Sequence, residues 1–142
     1  MTYAELFARY RRKHKRLVEP RQGFDSLHDS LWLAYSMGRK RGFTDLGTYV
    51  NKPGDHGWDD ARRMALAFDL GRNDRFLFKG WGYLKARRLA QLYVKEHKAL
   101  GIEYVILGTK VWSRSRPYWH KLGTGDMSHM FHIHVSGSHP NG

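Results

Sequence analysis

The sequence predicts an α+β fold: a small single domain in which N-terminal helices and one long central helix pack on a mainly antiparallel sheet. Three observations carry this expectation. Apolar residues recur at helical spacing near the N-terminus and again over residues 83–100. Short stretches of alternating apolar and polar residues fill much of the rest, with glycine between them. The helices come as a run, followed by several strands, which favours α+β over a strict βαβ alternation. A chain of 142 residues suits one domain and can bury a core. Its 41% hydrophobic and 14% aromatic content is that of a globular chain, not a disordered one.

The first element is a basic helix within residues 1–20. Tyr3, Leu6, Phe7, Tyr10 and Leu17 fall near one stripe, and Arg9, Arg11, Arg12, Lys13, Lys15 and Arg16 cover the other face. That cationic face is either simply solvated or an anchor on an anionic polymer. After Pro20 and Gly23, a second helix is expected from Asp25 or Ser26 to Arg39, with Leu27, Leu31, Ala34 and Tyr35 inward and Gly42 as its stop. A strand is expected near Leu46–Val50, then a loop with Pro53, Gly54 and Gly57. The stretch MALAFDL reads as a strand that puts Ala65, Ala67 and Asp69 on one face and Leu66, Phe68 and Leu70 on the other. The long helix spans Tyr83–Leu100 and stops at Gly101. IEYVILGTKVWS reads as a hairpin turning at Gly108–Thr109, and FHIHVS as the last strand.

The formal charge of +12 predicts attraction to polyanions: nucleic acid, anionic cell-wall polymers or acidic membrane surfaces. No apolar run approaches the roughly 18 residues that span a bilayer. The stretch MTYAELFARYRRKHKRL lacks the basic, apolar, small-residue order of a signal peptide. The expectation is therefore a protein made in the cytoplasm that needs another route to any site outside it. With no cysteine in the chain, a metal would be held by His, Asp or Glu rather than by thiolates.

The chemistry concentrates in SHMFHIHVS. In a strand His132 and His134 share one face, and Phe131, Ile133 and Val135 share the other. His129 lies just upstream. These imidazoles are either ordinary surface or core residues or part of a metal or catalytic site. Asp69, on a strand beside two alanines that leave room around it, tips the reading toward a site. One carboxylate with two histidines is a common donor set for catalytic zinc, which keeps one position for water. Such a site suits amide hydrolysis.

The phrases GDHG and ALAFD, then YVILGTKVWS, then HMFHIHVS together resemble the M15-type metallopeptidases, over roughly Leu46 to Ser136. These are peptidoglycan hydrolases, D-alanyl-D-alanine carboxypeptidases and phage L-alanyl-D-glutamate endopeptidases, with a small α+β fold and one zinc ion. The resemblance implies a peptidase core over residues 43–136 with the zinc site on the sheet. It implies Asp69 and His134 as zinc ligands, His132 as the residue assisting proton transfer or stabilising the transition state, and His129 as an accessory active-site histidine. The family pattern, Ser-x-His-x-x-Gly-x-Ala-x-Asp, puts Arg62 at the first ligand position, and arginine has no lone pair for a metal. Either GWDDARR is an insertion and His56 supplies that ligand, or the site has decayed and the fold only binds. The family's substrate-holding arginine falls on Val50, which leaves Lys52 as the nearby cation. Phe131 stands where relatives often carry aspartate. Tyr104, Trp112 and Trp119 are the aromatics that could line a cleft. Core packing is the simpler reading for Tyr104 and Trp112, and Trp119 remains the substrate-binding candidate.

The resemblance thus implies a zinc peptidase acting on bacterial peptidoglycan, reaching the wall through a holin or as part of a virion. Its basic surface would concentrate it on anionic wall polymers. Two rivals stand beside it: an inactive wall-binding or virion structural domain, and a basic nucleic-acid-binding protein or metal-dependent nuclease. The stretch RYRRKHKR and the net charge favour the last, but HIHVS has no second His-x-Ser copy to complete a two-histidine phosphoesterase.

Overall fold

Residues 1–19, 27, 29–46, 58–59, 64–65, 67–71, 80–121 and 132–137 are described by a computed structural model. In chain order the elements are α1 (Tyr3–Lys13), a short 3-10 turn (Asp29–Leu31), α2 (Trp32–Arg39), β1 (Thr44–Asp45), β2 (Trp58–Asp59), β3 (Met64–Ala65), β4 (Ala67–Gly71), α3 (Gly80–Lys95), α4 (His97–Leu100), β5 (Ile102–Leu107), β6 (Lys110–Ser113), β7 (His120–Lys121) and β8 (His132–Gly137). Six strands form one sheet in the order β1-β4-β8-β5-β6-β7, antiparallel at every pairing. β2 and β3 pair separately. This is the α+β class expected from the sequence. Among the described residues no helix is long and apolar enough to cross a membrane.

α1 starts where the chemistry allows it to. Thr2 caps the helix by accepting from the Glu5 amide at 3.2 Å, and Glu5 reaches back toward Thr2, a reciprocal capping box. Only Leu6 and Tyr10 of its stripe are buried; Tyr3 stays exposed and stacks on Phe7. The helix ends at Lys13, short of the expected 1–20 span, because His14 turns extended. The Tyr10 hydroxyl then donates to the Arg16 carbonyl, and the amide of Val18 donates to Ser36 Oγ. The chain is thereby pinned against α2 instead of continuing as helix, and Leu17 packs on the core from a non-helical segment.

The second helix begins at Trp32, later than expected, with its first turn in 3-10 form; residues 25, 26 and 28 lie outside the described set. The expected strand at Leu46–Val50 appears earlier, at Thr44–Asp45, where those residues pair with Gly71 and Leu70; residues 47–50 lie outside the described set. The expected single strand MALAFDL is divided: β3 pairs with β2, whereas β4 joins the main sheet. The expected Tyr83–Leu100 helix starts earlier, at Gly80, and breaks at Glu96, a buried carboxylate 3.5 Å from the N-terminal ammonium. The hairpin is as expected. Leu107 pairs with Lys110 around Gly108–Thr109, and Gly108 takes φ 63°, which glycine adopts without strain.

The core lies between one face of the sheet and the helices. Phe68, Leu70, Val105, Leu107, Ile133 and Val135 form the sheet side, and Leu33, Ala34, Ala86, Leu89 and Tyr93 part of the helical side. Phe68 meets Tyr35 and Tyr93 edge to face, at 5.8 and 6.2 Å between ring centroids. Buried Tyr93 donates its hydroxyl to the Ala34 carbonyl at 2.6 Å, which ties α3 to α2. Burial pushes that phenol far above its usual pKa, so it stays a donor across the working pH range.

At Gly38 the backbone of α2 packs directly on the sheet residue Leu70. A Cβ there would collide with Leu70 Cδ1 and stand 2.7 Å from the Tyr93 hydroxyl. In an exposed helix interior, Gly→Ala stabilises by about 1 kcal/mol. Here overpacking outweighs propensity, and Gly38→Ala is expected to destabilise by about 1–3 kcal/mol in chemical denaturation.

Candidate functional site

The opposite face of the sheet carries the polar residues. Cross-strand register places Asp69 beside His134, Gly71 beside His132 and Ala67 beside Ser136. On the other flank of β8, Ile106 stands beside His134 and Tyr104 beside Ser136. Because successive side chains alternate, Asp69, His132, His134, Ser136, Tyr104 and Ile106 share the face turned away from the core. The strands that bury Phe68, Leu70, Ile133 and Val135 on one side therefore gather a carboxylate, two imidazoles and a hydroxyl on the other.

The distances make one cluster. His134 Nδ1 lies 2.8 Å from Asp69 Oδ1, and His132 Nε2 lies 3.6 Å from the same oxygen. His134 Nε2 lies 3.2 Å from Ser136 Oγ. The Tyr104 ring stacks on the His134 ring, 5.5 Å between centroids and 19° between planes. His134 is wholly buried and Asp69 5% exposed. His132 keeps 14% of its side chain exposed. The cluster thus has a buried base, Asp69 with His134, and His132 on its open side.

Asp69, His132 and His134, singled out from the sequence, are brought together. Trp119 is not part of that group: it packs partly buried against the core and lines a cavity of about 280 Å³ with Tyr83, Arg87 and Lys110, whereas Asp69, His132 and His134 do not line it. Lys52, His56 and His129 lie outside the described residues. Trp112 is buried and meets His97 at 4.7 Å between rings, consistent with core packing. Tyr104 departs from that reading, since its ring belongs to the His134 cluster. Ser136, noted in the sequence only as part of a His-x-Ser pattern, joins the cluster because it shares the parity of His132 and His134 in HIHVS.

Ser136, His134 and Asp69 stand in the order of a serine-hydrolase relay. Ser136 is only 2% exposed and sits two residues along the same strand as the histidine. A nucleophile must be open to its substrate, so Ser136 is placed to orient His134 and not to attack.

The donor set is tested against zinc by chemistry and by spacing. Two imidazoles and a carboxylate are zinc ligands, and donor atoms on one tetrahedral ion stand roughly 3.4 Å apart. The observed separations of 2.8 and 3.6 Å lie on either side of that value. Among the described residues no group of three or more His, Asp or Glu is placed so that it could hold a metal ion. The Asp69–His134 contact is closed as a hydrogen bond, and an ion would need it to widen by about half an ångström. Asp69 and His134 have the donor chemistry for zinc, and the described residues alone do not complete a three-donor group around them.

Comparison with family models, with curated proteins and with solved structures returned no match.

The pairing of Asp69 with His134 also has a structural consequence. Removing the carboxylate leaves a fully buried imidazole without its partner, so Asp69→Ala is expected to cost about 1–3 kcal/mol in urea denaturation. Ser136→Ala, which removes a longer neutral contact, is expected to cost less, about 0.5–1.5 kcal/mol.

Proposed function

We propose that this protein is a zinc-dependent peptidase that hydrolyses peptide bonds in bacterial peptidoglycan. The observation that carries the proposal is the convergence of His132 Nε2 and His134 Nδ1, both on β8, on one oxygen of Asp69, on the sequence-distant strand β4. The substrate class comes from the resemblance of GDHG, ALAFD and HMFHIHVS to peptidoglycan-cleaving metallopeptidases. The route to the wall, through a holin or within a virion, belongs to the same proposal.

Asp69 and His134 would hold the ion, with His56 the candidate for a third ligand. Bound zinc supplies a Lewis acid that polarises the scissile carbonyl and makes water nucleophilic near neutral pH. His134 is held flat by Tyr104 and gripped at its far nitrogen by Ser136. If Nδ1 served as the ligating atom, the ring would carry its proton on Nε2 and would donate it to Ser136 Oγ, since a hydroxyl can accept that bond as readily as it donates. His132, on the open side, takes a proton from the attacking water and returns one to the leaving amine. His129 would assist from upstream, and Lys52 would attract acidic groups of the substrate as a point charge.

Metal analysis of the purified protein, coupled to digestion of peptidoglycan with fragments identified by mass, tests the reading. Zinc near one equivalent and new amino or carboxyl ends on wall peptides are expected. Asp69→Asn and His134→Ala should lose both metal and cleavage while staying folded; full cleavage by either variant sinks the proposal. His132→Ala should keep the metal and lose about 10²–10⁴ in kcat. Wall binding without metal or cleavage would point to an inactive binding domain instead. Salt-sensitive DNA binding without wall cleavage would point to the nucleic-acid rival.

The orienting role of Ser136 has its own measurement. Ser136→Ala is expected to bind zinc about 10–100-fold more weakly in competition with a chromophoric chelator. An unchanged affinity would confine Ser136 to packing.

A further inference from the structure

The helical side of the molecule carries two adjoining cavities. One, of about 340 Å³, is lined by Arg9 and Lys13 from α1, by His14 and by Arg41 from the turn after α2. The other, of about 360 Å³, is lined by Arg41 again and by Lys85 and Arg88 from α3. Arg41 and Leu92 line both, so the two form one groove. The floor is apolar and belongs to the core: Leu6, Tyr10, Met37, Phe43 and Leu89 are all buried. No carboxylate lines either cavity. Among the described residues none of Arg9, Lys13, Arg41, Lys85 and Arg88 makes an ion pair. Arg41 Nη1 donates to the Met37 carbonyl at 3.1 Å, which fixes the central guanidinium over the seam.

Uncompensated like charges crowded around one depression destabilise the protein that carries them and favour a multivalent anion. The remaining question is which polyanion. Single-stranded nucleic acid is held by stacking its bases on aromatic faces. The two aromatic rings of its floor, Tyr10 and Phe43, are buried at 7% and 2% exposure, and the His14 imidazole at the rim packs on Tyr10 at 4.9 Å between ring centroids, so the groove offers no row of open ring faces. A duplex presents its phosphates on a convex cylinder, which a concave pocket of this size does not seat. A thin chain of phosphates joined by short aliphatic links fits on both counts. Its phosphates meet the cationic rim and its carbon links lie over the apolar floor.

We infer that the Arg41-centred groove binds the phosphate groups of a polyol-phosphate chain, the chemistry of anionic wall polymers. Only the choice of polymer source rests on the peptidoglycan reading; the groove itself does not. It lies on the helical side of the sheet, whereas Asp69, His132 and His134 face the other way, so holding the wall and cutting it are spatially separate.

The test uses the full chain and synthetic poly(glycerol phosphate), followed by calorimetry over a salt series. Binding is expected, with log K falling linearly against log salt. Arg41→Gln and Arg88→Gln should each weaken it 10-fold or more and lower the salt slope by about one per charge removed. Arg114→Gln, which removes an exposed cation 3.8 Å from Glu103 and outside the groove, should leave it within twofold. Asp69→Asn should bind as the parent does, and a parent protein that binds the polymer but cleaves no wall peptide counts against the peptidase reading alone. Absence of binding, equal losses from Arg114→Gln and Arg41→Gln, or tighter binding of single-stranded or duplex DNA of matched charge would each overturn the inference.

Discussion

Antiparallel pairing of β4 with β8, in the register that sets Asp69 beside His134, is the constraint on which the candidate site depends. Side chains alternate strictly along a strand, so a slip of one residue would turn Asp69 and His134 into the core and push Leu70 and Ile133 out. The apolar face forbids that slip. Phe68, Leu70, Ile133 and Val135 are all fully buried against the helices. The hydrophobic effect, acting on one side of two strands, thereby positions polar groups on the other side that it does not touch.

The helices supply the opposing clamp, and two details show how tightly it closes. Gly38 lets the α2 backbone approach Leu70 with no side chain between them. Tyr93 ties α3 to the Ala34 carbonyl through a hydroxyl that burial keeps protonated. The same layering separates the charges. The cationic groove belongs to α1, α3 and the turn after α2, while the carboxylate–imidazole cluster belongs to the far face of the sheet. The cations that line the groove therefore lie on the other side of the sheet from the buried Asp69–His134 pair.

Periodicity made the class of fold and the central trio legible in the sequence. Alternation in FHIHVS and AFDL assigned His132, His134 and Asp69 to faces, and both assignments match the sheet. What it could not give was partnership across the chain. MALAFDL alternates throughout, but its two halves pair with different strands, and only the partners reveal the division. Helix ends failed for a related reason. Apolar spacing continues past Lys13 and past Lys95, whereas the breaks come at His14, after which Val18 is held by Ser36, and at Glu96, beside the N-terminal ammonium, both groups distant in sequence. Tyr104 looked like a core residue because its neighbours in IEYVIL are apolar. Its ring stacks on His134 of the neighbouring strand β8, about thirty residues further along the chain.

Burial then divides the labour within the cluster more sharply than residue type does. His132 and His134 are the same side chain on the same face of one strand, yet one is partly open and the other is sealed. A group that exchanges protons with a substrate must reach it; a group that holds a fixed geometry is best kept from solvent and gripped from several sides. His134 has Asp69 at one nitrogen, Ser136 at the other and Tyr104 on its ring face. Those contacts leave the ring no freedom to rotate, and they come from strands, not loops. Asp69 and His134 thus form the fixed, buried part of the cluster, and His132 is the member that keeps part of its side chain exposed.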